Sequence, residues 1–189
     1  VDSSAIGTNK SPYVSVTRED ESLGATTAWK QFCQYSNNLL EHSLSRLNHK
    51  FFPDLYVSRK EVEGQFNDFL KSSKNLFLIH GKSGTGKTNL ICHLAKTVSH
   101  PSVFLSGEFY PSFDFSLQHE LNENLKPFQS FNFSMGNIDK VNSLAIRNNA
   151  FFIIYLDALN EFARPVTIIQ ELMSIVSRFV AAYPSIKFC

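Results

Sequence analysis

Gly81-Lys82-Ser83-Gly84-Thr85-Gly86-Lys87-Thr88 fits the phosphate-binding pattern G-x-x-x-x-G-K-[ST] at every fixed position. A polyphosphate needs backbone N–H groups turned inward, and glycines let the chain curl that closely because they lack Cβ. Lys87 can reach the β- and γ-phosphates as a point charge, and the Thr88 hydroxyl can bind Mg²⁺. Asn89 follows within the first turn of the helix expected from Gly86 onward, whose positive dipole end faces the same ligand. The plain alternative is a flexible Gly/Ser turn.

A second piece of chemistry lies some 70 residues on, where Phe151-Phe152-Ile153-Ile154-Tyr155-Leu156 ends in Asp157. A buried strand ending in aspartate can aim its carboxylate at a Mg²⁺ that bridges phosphates. In open α/β sheets, ligands sit at the carboxyl ends of strands. An apolar run followed by Asp is common on its own. Its weight comes from following the glycine loop.

These groups must be held by particular elements. Leu76-Phe77-Leu78-Ile79 is a short apolar run that reads as a buried parallel strand. After the loop, Leu90, Ile91, Leu94, Ala95 and Val98 recur at helical spacing. Strand, glycine loop and helix are the context in which the motif binds phosphate.

The chain has 189 residues, enough for one domain plus an extension, and 43% of them are hydrophobic, enough for a real core. A net charge of +1 leaves no electrostatic footprint for nucleic acid. The 18 phenylalanines suit an aromatic-rich core, with a partner surface as the other use. Cys33, Cys92 and Cys189 are far apart and lack C-x-x-C spacing. That argues against a disulfide framework and against zinc, and it fits a reducing, cytoplasmic setting. No run approaches a membrane span, and residues 1–24 contain no apolar signal region. A start at Val1 and a stop inside Ile186-Lys187-Phe188-Cys189, which reads as a strand beginning, suggest an excerpt of a longer protein.

The pattern predicts a polar, mobile lead-in over 1–24, and then a helix from Ala25 to His49 with Trp29, Phe32, Cys33, Leu39, Leu40, Leu44 and Leu47 on one face. That helix reads either as a linker (residues 25–54) to the nucleotide domain or as an ordinary packing helix. His42 and His49 are expected to be solvated. Ser58 with Glu61 fits a capping box for a helix carrying Val62, Phe66, Phe69 and Leu70. Further on come a strand over 102–106 and a helix with Leu117, Leu121 and Leu125, capped by Asp114 and stopped by Pro127. Phe128–Gly136 reads as aromatic loop, and a helix over 137–148 would turn Ile138, Val141, Leu144 and Ala145 inward. Pro165 opens a last helix with a broad apolar face from Ile168 to Val180 that includes Ile169 and Met173. Cys92-His93 is not a metal pair, since neighbouring residues on a helix point apart.

Leu156-Asp157-Ala158-Leu159-Asn160-Glu161 resembles the Walker B signature of STAND NTPases, the signal-transduction ATPases that include NACHT and apoptotic-ATPase proteins. Most ATPases with an extra central strand place a catalytic Glu directly after the Asp. Here that position is Ala158, and the acidic residue comes later, at Glu161. Tyr56-Val57-Ser58-Arg59 is similar to the family's V-G-R element, which lies against the nucleotide base, with Ser58 in place of the usual Gly. The resemblance covers about residues 55–189. It implies an α/β fold, a three-layer P-loop NTPase of the ASCE/STAND type with a parallel central sheet, incomplete at its C-terminus.

The same resemblance implies ATP or ADP with Mg²⁺ as ligands. Nucleotide contacts would come from Gly81, Lys82, Ser83, Gly84, Thr85, Gly86, Lys87, Thr88 and Asn89, together with Val57 and Arg59. Thr88 and Asp157 would hold the metal, and Lys87, Asp157 and Glu161 would form the catalytic set. The activity implied is slow, regulatory ATP hydrolysis within a switch. ADP keeps such a protein closed, while a sensed ligand permits ATP binding, homo-oligomerisation and activation of an effector. The linker helix and overall texture look most like prokaryotic antiviral STAND proteins. An AAA-type motor or helicase would need Glu at position 158, and a helicase also a basic channel. A binding module with a structural, unhydrolysed nucleotide is a further alternative, and a small-molecule kinase a weaker one.

Overall fold

The computed structural model describes residues 18–110, 116, 117, 119–121 and 137–189. Val103, Phe104 and Leu105 in β1 (Ser102–Ser106) and the run Phe152–Leu156 in β2 (Phe152–Asp157) are apolar without alternation, the pattern of strands buried on both faces. They pair in parallel with β3 (Ile186–Phe188) in the order β1-β2-β3. The register sets Ser106 opposite Asp157 and Ile154 opposite Phe188.

Side chains alternate across this sheet, so its residues feed two cores. On one face Val103, Leu105, Phe152, Ile154, Leu156, Ile186 and Phe188 meet Val141 of α4 (Asn137–Arg147) and Leu172, Ile175 and Val176 of α5 (Pro165–Ala182). On the other, Phe104, Ile153 and Tyr155 meet Phe66, Phe69 and Leu70 of α2 (Lys60–Lys71) and Leu90, Ile91, Leu94 and Ala95 of α3 (Lys87–Thr97). The expected α/β class with a parallel sheet is what the chain adopts. Leu117 and Leu121 are buried in the first core, while Asp114, Leu125, Pro127 and the Phe128–Gly136 loop lie outside the described residues.

Helix α1 spans Arg18–Ser45, earlier at both ends than its apolar periodicity suggests. Leu23 is the one large apolar residue of its first two turns, too few to show a period, and Gly24 is only a weak helix breaker. At the other end the Ser45 hydroxyl donates to the His42 carbonyl at 2.7 Å, and Leu47 and Phe51 continue in tight turns. The residues 18–24 read as lead-in are therefore helical, while residues 1–17 lie outside the described ones.

α1 is packed into the domain rather than held apart from it. Phe32 enters the first core against Phe152, with ring centroids 5.5 Å apart, and Leu40, Leu44 and Leu47 enter the second. Between them, Ser36 Oγ donates to the Ser102 carbonyl at 2.6 Å and accepts the Ser102 N–H at 2.5 Å. That satisfies the outward-facing backbone of Ser102 at the start of β1, the edge strand among the described residues.

The strand expected over Leu76–Ile79 is only a single bridge, Leu76 to Phe188. Phe188 donates its N–H to the Asn75 carbonyl at 2.7 Å and accepts the Phe77 N–H at 2.9 Å. Cys189 then gives both backbone groups to β2, at Ile154 and Leu156. Leu78 is exposed. The broad apolar face expected on α5 is also narrower, since Ile169 and Met173 face outward.

Candidate functional site

The glycine loop joins the Leu76–His80 segment to α3, and its backbone shows why glycine is required. Gly84 and Gly86 have φ of +76° and +73°, the left-handed region that side chains disfavour. Gly86 is the N-cap of α3, so Lys87, Thr88 and Asn89 form the helix's first turn. Lys87 Nζ donates to the carbonyls of Gly81 at 2.9 Å and Lys82 at 2.8 Å, which holds the ammonium over the loop it closes. A Cβ on Gly81 would sit 3.3 Å from Thr85 Oγ1 and 3.8 Å from Lys87 Cδ, so the ring of the loop is tight.

Asp157, the last residue of β2, is 6% exposed. Thr88 Oγ1 donates to its Oδ1 at 3.3 Å, joining residues 69 apart in sequence. Burial raises the Asp157 pKa above the usual carboxylate value, against the Thr88 hydroxyl and the Ala158 N–H, which lower it. Ala158 turns the chain with φ of +52°, and Leu159–Glu161 forms one 3₁₀ turn.

Around these residues lies a cleft of ≈ 740 Å³, lined by Gly81, Ser83, Gly84 and Gly86–Asn89 on one side and by Leu156–Glu161 on the other. Of the sequence-predicted residues it therefore gathers those of the loop except Lys82 and Thr85, together with Asp157 and Glu161. Arg59 does not line the cleft; its guanidinium donates to the Thr85 carbonyl and braces the loop from its main chain. Val57 is 80% exposed and does not line the cleft either.

The expected capping box is not formed. The N-cap of α2 is Arg59, whose side chain makes no capping hydrogen bond, and the carboxylate that reaches back to it is Glu63 rather than Glu61. Glu63 accepts from the Arg59 N–H at 2.7 Å, Ser58 Oγ at 3.0 Å and Tyr56 Oη at 2.7 Å. The Tyr56 hydrogen bond comes first among the causes that lower its pKa. Tyr56 stacks on His93 of α3 at 3.8 Å, so the 56–59 segment is clamped to the helix that follows the loop. Burial, then Glu63, pushes the Tyr56 phenol up to about 12.

No sequence pattern signals the group of polar and charged side chains at the cleft mouth. Lys50 Nζ lies 2.8 Å from Glu108 Oε2 and 3.3 Å from Glu161 Oε2, and His49 Nε2 lies 2.8 Å from Glu108 Oε1. His49 is exposed, as expected, and also meets Glu108. Lys50 holds the Glu108 carboxyl below its ordinary range, and Glu108 in turn raises the Lys50 pKa. These residues are far apart in sequence and belong to no spacing pattern.

The donor set fits a phosphate and a hard cation. Thr88 and Asp157 are oxygen donors of the kind Mg²⁺ accepts alongside phosphate and water. Asn89 Oδ1 is buried in the cleft wall with no hydrogen-bond partner among the described residues. No group of three or more His, Cys, Asp or Glu side chains that could hold a metal occurs among the described residues. No helix among them is long and apolar enough to cross a membrane. The chain matches no family model, no curated protein and no solved structure.

Proposed function

We propose that this chain is the nucleotide-binding core of a STAND-type P-loop NTPase that binds ATP with Mg²⁺ and hydrolyses it slowly. The observation that carries this reading is the convergence of Thr88 and Asp157 at 3.3 Å in a cleft walled by the glycine loop. A second feature supports it. β3 lies between the Leu76 segment and β2, so the loop and the acidic strand tip are separated by one strand, as in ATPases with an extra central strand.

Each residue then has a defined task. The loop amides and the N-terminus of α3 receive phosphate oxygens. Lys87 exchanges the Gly81 and Lys82 carbonyls for a phosphate. Thr88 and Asp157 hold Mg²⁺, which when bound neutralises charge on the phosphates. Glu161 accepts a proton from the attacking water, from the position where Ala158 leaves no carboxylate directly after Asp157. The switch role, the homo-oligomer of the whole protein and the antiviral setting follow from the family resemblance.

Calorimetric titration of ATP and Mg²⁺ into the chain tests the site. Lys87→Ala is expected to abolish binding, and undiminished affinity in that variant overturns the assignment. Glu161→Gln is expected to bind as before and release phosphate more slowly. A nucleotide that binds stoichiometrically to the unmutated chain and never turns over would favour an interaction module instead.

A further inference from the structure

Lys50 belongs to neither phosphate motif. It sits on the turns that follow α1, yet its ammonium reaches the mouth of the cleft and lines it together with Lys87. Three separate segments meet at this cation. The exit of α1 supplies His49 and Lys50, the turn after β1 supplies Glu108, and the turn after β2 supplies Glu161. The last two turns are pressed together at Gly107. A Cβ there would fall 2.3 Å from the Ala158 carbonyl oxygen and 2.8 Å from the Phe162 nitrogen. The spacing between Glu108 and Glu161 is therefore fixed by backbone.

Glu161 itself has little to hold it. Its side chain is 42% exposed on a single 3₁₀ turn and accepts a hydrogen bond from Lys50 at 3.3 Å. Lys50 is better anchored, with Glu108 at 2.8 Å and His49 on the far oxygen of that carboxylate. The chain of contacts runs from the α1 exit through Glu108 and Lys50 to the carboxylate that faces the cleft.

We propose that Lys50 is a positioning residue for Glu161, and that Glu108 holds Lys50 in place, so that the exit of α1 sets the orientation of the water-polarising carboxylate. This rests on the reading of the cleft as an ATP site. Ion pairs as exposed as these add little to stability. A purely structural role therefore predicts that their loss leaves turnover unchanged.

The test is steady-state phosphate release from ATP with Mg²⁺ by the full chain, alongside calorimetric ATP binding. Lys50→Ala is expected to lower kcat about tenfold or more, as misplacement of a reacting group does. KM and the thermal midpoint should stay as they are. Lys50→Arg should restore most of the rate, and Glu108→Gln should reproduce part of the loss. In a Glu161→Gln background, Lys50→Ala should cost no more than about twofold further, because the two act as one unit.

A full, independent loss in that background overturns the proposal, as does a raised KM with unchanged kcat, which would make Lys50 a substrate ligand. If the unmutated chain binds ATP but releases no phosphate, the role of Lys50 fails while the nucleotide site stands. If it binds no ATP, both fail together.

Discussion

Asp157 shows what one residue at this site costs and what it gains. Its carboxyl is buried, and burial raises its pKa above that of the unfolded chain, so its ionised form is disfavoured by folding. The native state then holds the proton more tightly than the unfolded state. Stability falls as pH rises from the unfolded pKa, near 3.9, through the raised folded value, and the penalty persists at neutral pH. Asp157→Asn removes the charge, and it is expected to raise the thermal midpoint at pH 7 but not at pH 3. Each kcal/mol gained reads as roughly 2–4 °C for a chain of this size. The same variant should lose any Mg²⁺-dependent stabilisation by ATP. A lower midpoint at pH 7 would mean that the Thr88 bond outweighs burial. At this scale the sequence was informative where chemistry repeats a pattern: the glycines with positive φ, Lys87, Thr88 and Asp157 are all where the motif places them. It was silent on Lys50, Glu108 and His49, because an ion cluster built from separate turns leaves no periodicity to detect. Val57, a motif-like position, is exposed and outside the lining of the cleft.

Among the elements, strands were easier to read than their joints. The apolar runs of β1 and β2 declare themselves, but the Leu76 segment meets β3 through a single bridge, at Phe188. What fixes that segment instead is polar and buried. Asn75 Nδ2 donates to the carbonyls of Tyr183 at 3.2 Å and Ile186 at 2.7 Å. Lys187, 1% exposed, donates to the carbonyls of Ser72 at 2.7 Å and Lys74 at 2.6 Å, between the rings of Phe69 and Phe151. A lysine in a three-residue strand gives no hint that it will be buried as a staple between α2 and β3. The turn-to-turn contact at Gly107 is equally invisible in sequence. Both atoms that crowd its missing Cβ most closely are backbone, so no side-chain movement can make room. Gly107→Ala is expected to cost about 1–3 kcal/mol by overpacking. Because the same turn carries Glu108, the variant should also slow phosphate release more than it weakens ATP binding. Denaturant unfolding beside turnover checks both, and an unaffected midpoint would mean that the two turns separate freely.

For the molecule as a whole, the question is whether α1 is a connector or part of the nucleotide domain. Apolar spacing alone leaves both open, since a connector and a packing helix show the same stripe. The packing distinguishes them. Phe32 is 1% exposed between Trp29 and Phe152, Ser36 bonds the edge of β1 at Ser102, and Leu40 and Leu44 join the opposite core. One helix therefore contributes to both faces of the sheet, and its exit carries Lys50 to the cleft. Phe32→Ala is expected to cost about 3–5 kcal/mol, the range for emptying a buried aromatic site. Val166→Ala, at a position 68% exposed on α5, should stay within about 0.5 kcal/mol. Urea unfolding with an unchanged slope reads both values directly. If α1 and the sheet form one cooperative unit, fluorescence and far-ultraviolet circular dichroism give the same midpoint in the Phe32 variant. A loss near that of Val166→Ala, or a helix transition that precedes the rest, would make α1 a detachable arm. Lys50 could then not transmit its position to the site.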